Sequence, residues 1–405
     1  METGQHVLTL ILAGGRGERL YPLTRDRAKP AVPFGGIYRI IDFTLSNAIN
    51  SGLRRIYVMT QYKSLSLQRH IKEGWNILSR ELNEFIELVP AQQRIGDDWY
   101  LGTGDSVFQN IHLLEDERPD LVLILAGDHI YKMDYRKFIN SHLARSADLT
   151  ISAFELPRRD ANRFGVLTVD EDGRVVSFAE KPQDPAPLPD DPETSLVSMG
   201  IYVFSRDVLI RRLVEDAKKP DSEHDFGKNI IPSMIGRDAV YAYRFVDENR
   251  KETKYWRDIG TIDAYWEANM DLVNVDPILN IYDRQWPLRT YQSPLPPAKT
   301  VFSEGERMAL VQDSLITGGC IVSGGRVRHS ILSPWTRVNS YAEVSDSILM
   351  EGVQVGRHAR VRRAVVDKDV IIPPGMVVGY DLESDRKRFT VSPGGIIVIP
   401  KGYRF

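Results

Sequence analysis

Leu10–Pro30 reads LILAGGRGERLYPLTRDRAKP. The apolar run Val7–Leu12 that leads into it has the length of a buried strand. It ends in Gly14, Gly15 and Gly17, with Arg16 and Arg19 inside the turn and Lys29 following. Glycine lets the backbone approach a ligand closely and aim its N–H groups at phosphate oxygens. Arginine adds forked donors suited to phosphate, and lysine adds a point charge. A strand feeding a glycine-rich, basic loop is what a nucleoside triphosphate site needs. The spacing is neither that of the P-loop nor GxGxxG, and a strand followed by two glycines is often only a turn.

The remaining chain limits what such a site serves. Its 405 residues are too many for one ordinary core, so two domains are expected. Hydrophobic residues make up 42% and charged residues 26%, as in a soluble globular protein. The net charge of −3 provides no overall field for nucleic acid or an anionic membrane, so neither is an expected partner. Any phosphate site must be a local basic cluster. The single cysteine, Cys320, excludes a disulfide within the chain and suits a reducing compartment. The N-terminus METGQHVLTL lacks a basic region followed by a long apolar run, and no apolar stretch approaches a membrane span. A cytoplasmic enzyme is expected.

From Val7 to about Leu272, strand-like runs alternate with helical stretches. The strand candidates are Val7–Leu12, Ile56–Met59, Leu121–Ala126, Leu149–Phe154 and Gly200–Phe204; the helix candidates are Ser64–Gly74, Asp105–Leu114 and Asp263–Val273. This alternation predicts an α/β, Rossmann-like domain with a mostly parallel sheet and ligands beyond the carboxyl ends of its strands. Pro182–Pro192 reads as a surface loop, and Leu295–Pro297 with its neighbours as a linker. After about Val311 the texture changes. Val353, Ala359, Val365, Ile371 and Val377 recur every six residues, and Val338, Val344 and Met350 repeat the step in a shifted phase. That step predicts a C-terminal left-handed parallel β-helix. The expected division is a catalytic domain over 1–280, a linker over 281–310 and a β-helix over 311–405.

Three further strings offer chemistry. In LVLILAGDHIY, Asp128 ends a buried strand, where a carboxylate can meet a Mg²⁺–triphosphate or merely cap a turn. His129 is expected to be structural. In WRDIGT, Asp258 is the natural second carboxylate. Two carboxylates with a basic glycine loop are the parts of metal-assisted phosphoryl transfer. In FAEKP, the Glu180–Lys181 pair can read a sugar phosphate or be a solvated ion pair. Gln92 or Gln93 can reach a base edge, and Tyr100, Gly102 and Thr103 read as a loop over the site, with Asp105 as the cap of the next helix.

The glycine string resembles the sugar-phosphate nucleotidyltransferases. RAKPAVPFGGIYRIIDFTLSNAINSG, PAQQR, LAGDHIYKMDY, FAEKP, SMGIYVF, HDFGKNIIP, YWRDIGTIDAYWEANMDL and the tail near KRFTVSPGGI narrow the resemblance to the bacterial ADP-glucose pyrophosphorylases over essentially the whole chain. The resemblance implies adenylyl transfer from ATP to glucose 1-phosphate with Mg²⁺. It implies Leu12, Gly14, Gly15, Arg16, Gly17, Gln92, Gly102 and Thr103 at ATP, with Arg19, Lys29, Asp128 and Asp258 catalytic and the two aspartates holding the metal. Lys181 would take the phosphate of glucose 1-phosphate, and Tyr100, Gly165, Glu180 and Ser198 would line the sugar pocket. It further implies a homotetramer under phosphorylated effectors, with Arg27, Arg39, Lys387 and Arg388 at basic effector positions. Asp26, Pro33, Asp116 and Val391 depart from the enteric pattern, which carries basic residues there. An activator other than fructose 1,6-bisphosphate, or weak activation, is expected. Because Arg19, Lys29, Asp128, Lys181 and Asp258 are all present, an active enzyme is expected over a non-catalytic regulatory subunit. His329 and His358 alone do not suggest a second, acyl-transferring activity in the β-helix.

Overall fold

The computed structural model describes residues 5–92 and 99–405. Among these, a nine-stranded sheet organises the N-terminal part. Val7–Leu12 lies at its centre, parallel to Leu121–Ala126 on one side and Arg55–Thr60 on the other. Phe85–Pro90 extends the parallel run to one edge. Thr194–Ser205 joins antiparallel to Leu121–Ala126 and leads to Gly165–Val169 and Val175–Glu180. Leu149–Pro157 and the parallel strand Val240–Arg244 complete the sheet. The central strands VLTLIL and LVLILA are buried almost throughout because helices cover both faces.

Two helix expectations change in detail. Asp105–Leu114 is not one helix but two, Thr103–Phe108 and Ile111–Glu117. The break falls at Asn110, whose side chain donates to the Ser106 carbonyl at 2.8 Å and to the Tyr100 hydroxyl at 2.8 Å. Such local bonds compete with helical geometry. Asp105 is not the cap: Gly102 occupies that position, and Asp105 reaches back from the first turn to accept from the Leu101 N–H at 2.8 Å. Asp263–Val273 becomes the α-helix Ile262–Met270, capped by the Thr261 hydroxyl, followed by a 3-10 turn.

From Lys299 onward the chain coils into a three-sided parallel β-helix, with one sheet on each side. Ser347 and Ala364 each donate a backbone N–H to the serine hydroxyl 17 residues earlier, one coil below. That coil is one residue short of three full hexads, and this corrects the six-residue reading. Val353, Ala359 and Val365 are buried as expected, whereas Ile371 is 63% and Val377 38% exposed. Their neighbours Ile372 and Val378 turn inward instead and stack on Val355 and Val361. Asp313, His329, Asp346 and Arg363 turn successive coils at one corner with φ near +45°, so the corner is built without glycine.

The two parts share a core. Leu20, Phe34 and Tyr265 pack with Ile331, Ile348, Val365 and Val398 of the β-helix. Arg27 and Asp367 form a buried ion pair at 2.9 Å across this seam, and the Trp266 indole donates to the Asp346 carbonyl at 2.9 Å. Residues 274–298 run between the parts without helix or strand. They lie along the helix Ile40–Asn50, where Asn50 donates to the Pro287 carbonyl and Trp286 to the Asn47 side chain.

Candidate active site

Beyond the carboxyl end of the central strand, the glycine loop wraps a cavity of about 420 Å³. Leu12, Gly15, Arg16, Gly17, Arg19, Lys29, Asp128 and Gly260 line it. Gly17 has φ +64°, and a Cβ there would meet Lys29 Cβ at 3.0 Å and Thr24 Cγ2 at 3.1 Å, so only glycine lets the loop close on Lys29. Gly14 abuts Gln61 on the neighbouring strand's exit, and Arg16 leans over the Tyr62 ring at 5.0 Å. The Arg19 guanidinium lies beside Gly260, where a Cβ would meet it at 3.3 Å.

Lys29 is the electrostatic centre. Its ammonium donates to Asp128 at 2.7 Å and to Asp258 at 2.9 Å. Burial opposes the charge on Lys29, but the two carboxylates outweigh it and raise its pKa. Burial likewise opposes ionisation of Asp128, yet Lys29 and His129 hold its pKa below the ordinary value. The two aspartates arrive by separate routes: Asp128 follows Leu121–Ala126, and Asp258 ends Trp256–Asp258, which pairs antiparallel with His129–Tyr131. His129, expected to be structural, stands beside both carboxylates, with Nε2 3.6 Å from Asp128 and 3.9 Å from Asp258. Its ring meets Trp256 edge-on at 5.3 Å. One atom from each of Asp128, His129 and Asp258 falls within 4.8 Å of the others. Two carboxylates facing one monovalent ammonium leave a negative excess, and their hard oxygens suit Mg²⁺. The donor set fits such an ion.

A second group lies along the sheet from this centre. Gly165 pairs with Glu180 across adjacent strands, and a Cβ at Gly165 would crowd both Phe178 and the Glu180 carboxylate. Glu180 accepts from Lys181 at 2.8 Å, and Lys181 leaves the strand with φ +49° and its amine mostly exposed. Ser198 sits before a bulge at Gly200, which has φ +67° and faces His129. Gly227 approaches so closely that a Cβ would meet Glu180 Oε2 at 2.6 Å. Tyr100 is tied to Asn110, and burial raises its phenol pKa. Gly102 and Thr103 pack on Glu223–Phe226: the Thr103 hydroxyl donates to Asp225 at 2.9 Å. Gln92 is exposed beyond the edge strand, and Gln93 lies outside the described residues.

The basic positions near the termini are dispersed. Arg39 lines a cavity of about 1010 Å³ between the two parts, together with Arg69, His70, Glu73, Glu351 and Lys368. Arg27 is buried against Asp367. Lys387 and Arg388 are exposed after the helix Leu382–Arg386, with Arg388 over the rings of Phe389 and Phe405. Sequence reasoning missed Arg69, His70 and Lys368, which meet only through the fold. It also passed over Gly260 and Gly227, although both lie inside strings it quoted, WRDIGT and HDFGKNIIP.

Residues 8–275 match the nucleotidyl transferase family, and residues 296–399 match the GlmU-like C-terminal hexapeptide family. A glucose-1-phosphate adenylyltransferase of Rhodopirellula baltica is 57% identical over 98% of this chain and 90% of its own length. Proteins of the same name from Koribacter versatilis and Methylococcus capsulatus are 55% and 52% identical, each over 98% of this chain and covering 95% and 93% of those proteins. Among the described residues, no helix is long and apolar enough to cross a membrane.

Proposed function

This chain belongs to the nucleotidyl transferase family, and we propose that it joins ATP to glucose 1-phosphate, forming ADP-glucose and diphosphate, as the first committed step of bacterial glycogen or α-glucan synthesis. The observation that carries this reading is Lys29 held between Asp128 and Asp258 at the mouth of the glycine loop.

In this mechanism a phosphate oxygen of glucose 1-phosphate attacks the α-phosphorus of ATP, and the α–β bridging bond breaks as diphosphate departs. The nucleophile is already ionised at neutral pH, so no strong base is required. Positioning and charge neutralisation supply the rate. The backbone of Gly14, Gly15 and Gly17 cradles phosphate; Arg16, Arg19 and Lys29 meet the triphosphate and the diphosphate as it leaves. Asp128 and Asp258 would hold Mg²⁺, which supplies neutralising charge when bound. Lys181 takes the phosphate of the acceptor, and Glu180, Ser198, Gly165 and Tyr100 hold the sugar hydroxyls. Leu12, Gln92, Gly102 and Thr103 complete the nucleotide side.

Regulation belongs to the same proposal. The cavity between the two parts carries Arg39, Arg69, His70 and Lys368, which suits a phosphorylated effector. The β-helix serves homotetramer assembly, and the enzyme works in the cytoplasm.

The test is diphosphate release from purified protein with Mg²⁺ and glucose 1-phosphate, comparing ATP, UTP, dTTP and GTP. Rapid release with ATP is expected. Release with another triphosphate alone would move the specificity while keeping the chemistry, and silence with all four, effectors added, would overturn it.

A further inference from the structure

His224 joins the two walls of the candidate site. On one side, its carbonyl accepts the N–H groups of Gly104 at 2.8 Å and Asp105 at 3.0 Å, closing the start of the helix that follows the Tyr100–Thr103 loop. Beside it, Thr103 donates to Asp225, and the Phe226 N–H donates to the Thr103 hydroxyl at 3.0 Å. A Cβ at Gly102 would collide with the carbonyl oxygens of Glu223 and His224, so the loop lies directly on this segment. On the other side, Asp225 caps the turn containing Gly227, which packs against Glu180.

The backbone of His224 is left-handed, with φ +53°. That conformation is unfavourable for a non-glycine residue. The side chain shows what holds it. His224 Nδ1 lies 2.8 Å from buried Asp216, and Ser222 donates to both oxygens of the same carboxylate while accepting the His224 N–H. Glycine would adopt this φ freely but would have no ring for Asp216 to anchor.

We propose that His224 is a positioning residue for the transfer reaction: anchored by Asp216, it sets the separation between the Tyr100–Thr103 loop and the Glu180–Lys181 pair. The inference rests on the reading of Glu180 and Lys181 as the acceptor site. His224 acts through its carbonyl and through the segment that follows it. A shift of this clasp displaces the acceptor side relative to the nucleotide side without touching the Lys29 centre.

The experiment uses the full chain with His224→Ala, His224→Asn and Asp216→Asn. For His224→Ala, kcat/KM for glucose 1-phosphate is expected to fall about 100-fold, while KM for ATP, held mainly at the Lys29 centre, rises much less. His224→Asn recovers most of the loss, because asparagine tolerates the left-handed region. Asp216→Asn follows His224→Ala in direction, and decides the matter if His224→Ala fails to fold. A folded His224→Ala with unchanged kcat/KM, or with both KM values raised equally, overturns the proposal. Hydrogen exchange at residues 100–108 separates this failure from failure of the proposed function. If the parent protein transfers nothing, faster exchange in His224→Ala than in His224→Asn still supports the clasp, and equal exchange overturns it.

Discussion

The glycine-loop cavity and the cavity between the two parts both gather cationic side chains, but they treat them differently. At the glycine loop, Asp128 and Asp258 converge on one ammonium, leaving carboxylate in excess. Between the two parts, Glu351 pairs with Lys368 at 2.5 Å, Glu73 also lines the cavity, and buried Asp42 accepts from His70, Trp75, Thr290 and the Arg39 N–H. Arg39 is braced by Ser66 at 2.9 Å, a neutral partner that does not cancel its charge. Converging carboxylates suit a divalent cation with phosphates attached. Braced guanidinium groups suit an anion alone. The same residue types thus serve opposite ligands according to where the acids point.

Several substitutions would break or sharpen this contrast. The largest effect is expected from Asp258→Asn, which should lower diphosphate release by about 1,000-fold. Binding of a labelled sugar phosphate in the larger cavity should persist, and equilibrium dialysis checks it. Chelation of divalent cations should silence the parent enzyme in the same assay and leave that binding in place. Next is the seam between the parts. Arg27→Ala leaves Asp367 buried without its partner, a loss of about 3 kcal/mol visible as a lower thermal midpoint. A midpoint equal to the parent's would show that the seam does not depend on this pair. A smaller effect belongs to the larger cavity. Arg69→Ala should raise the half-saturating concentration of a phosphorylated activator about tenfold. In an effector panel, strong and selective activation of the parent by fructose 1,6-bisphosphate would contradict the reading of Asp26, Pro33, Asp116 and Val391.

The smallest effect asks whether titration is confined to these cavities. His142 is buried in the sheet core beside Thr150, and burial lowers its pKa to about 4. The unfolded chain takes up the proton near the ordinary histidine value, so this contribution is complete above that value and is lost as pH falls toward 4. From about pH 7 to about pH 6 the loss is roughly 0.7 kcal/mol. Denaturant midpoints of the parent and of His142→Gln over that range measure it: the variant should be flatter.

Much of the candidate site was legible because its chemistry sits at the ends of apolar runs. Val7–Leu12 and Leu121–Ala126 agree with the structure to the residue, and each hands its chemical group to the next few positions. Glu180 and Lys181 were visible as a pair, but their dependence on Gly165 and Gly227 was not. Those glycines matter through close approaches between strands and turns that are distant in sequence. The place of His129 beside both carboxylates was hidden for a similar reason: no nearby pattern marks it, and its company comes from the paired strand that brings Asp258.

The β-helix divides the same way. Its periodicity identified the architecture, because inward aliphatic residues must recur once per side of each coil. The coil length was not legible, because a six-residue step and a 17-residue coil differ only by a slip that accumulates from turn to turn.

By itself, the sequence determined the glycine loop, the strand-end aspartates and the presence of a coiled C-terminal part. These are local features, set by the length of apolar runs and the conformational freedom of glycine. Only the tertiary structure decided that Lys29 stands between two carboxylates, that Arg27 is spent on Asp367, and that Arg39, Arg69, His70 and Lys368 share one cavity. The reason is physical: a charge acts on whatever lies within a few ångströms of it, and those neighbours come from segments that meet only when the chain is packed.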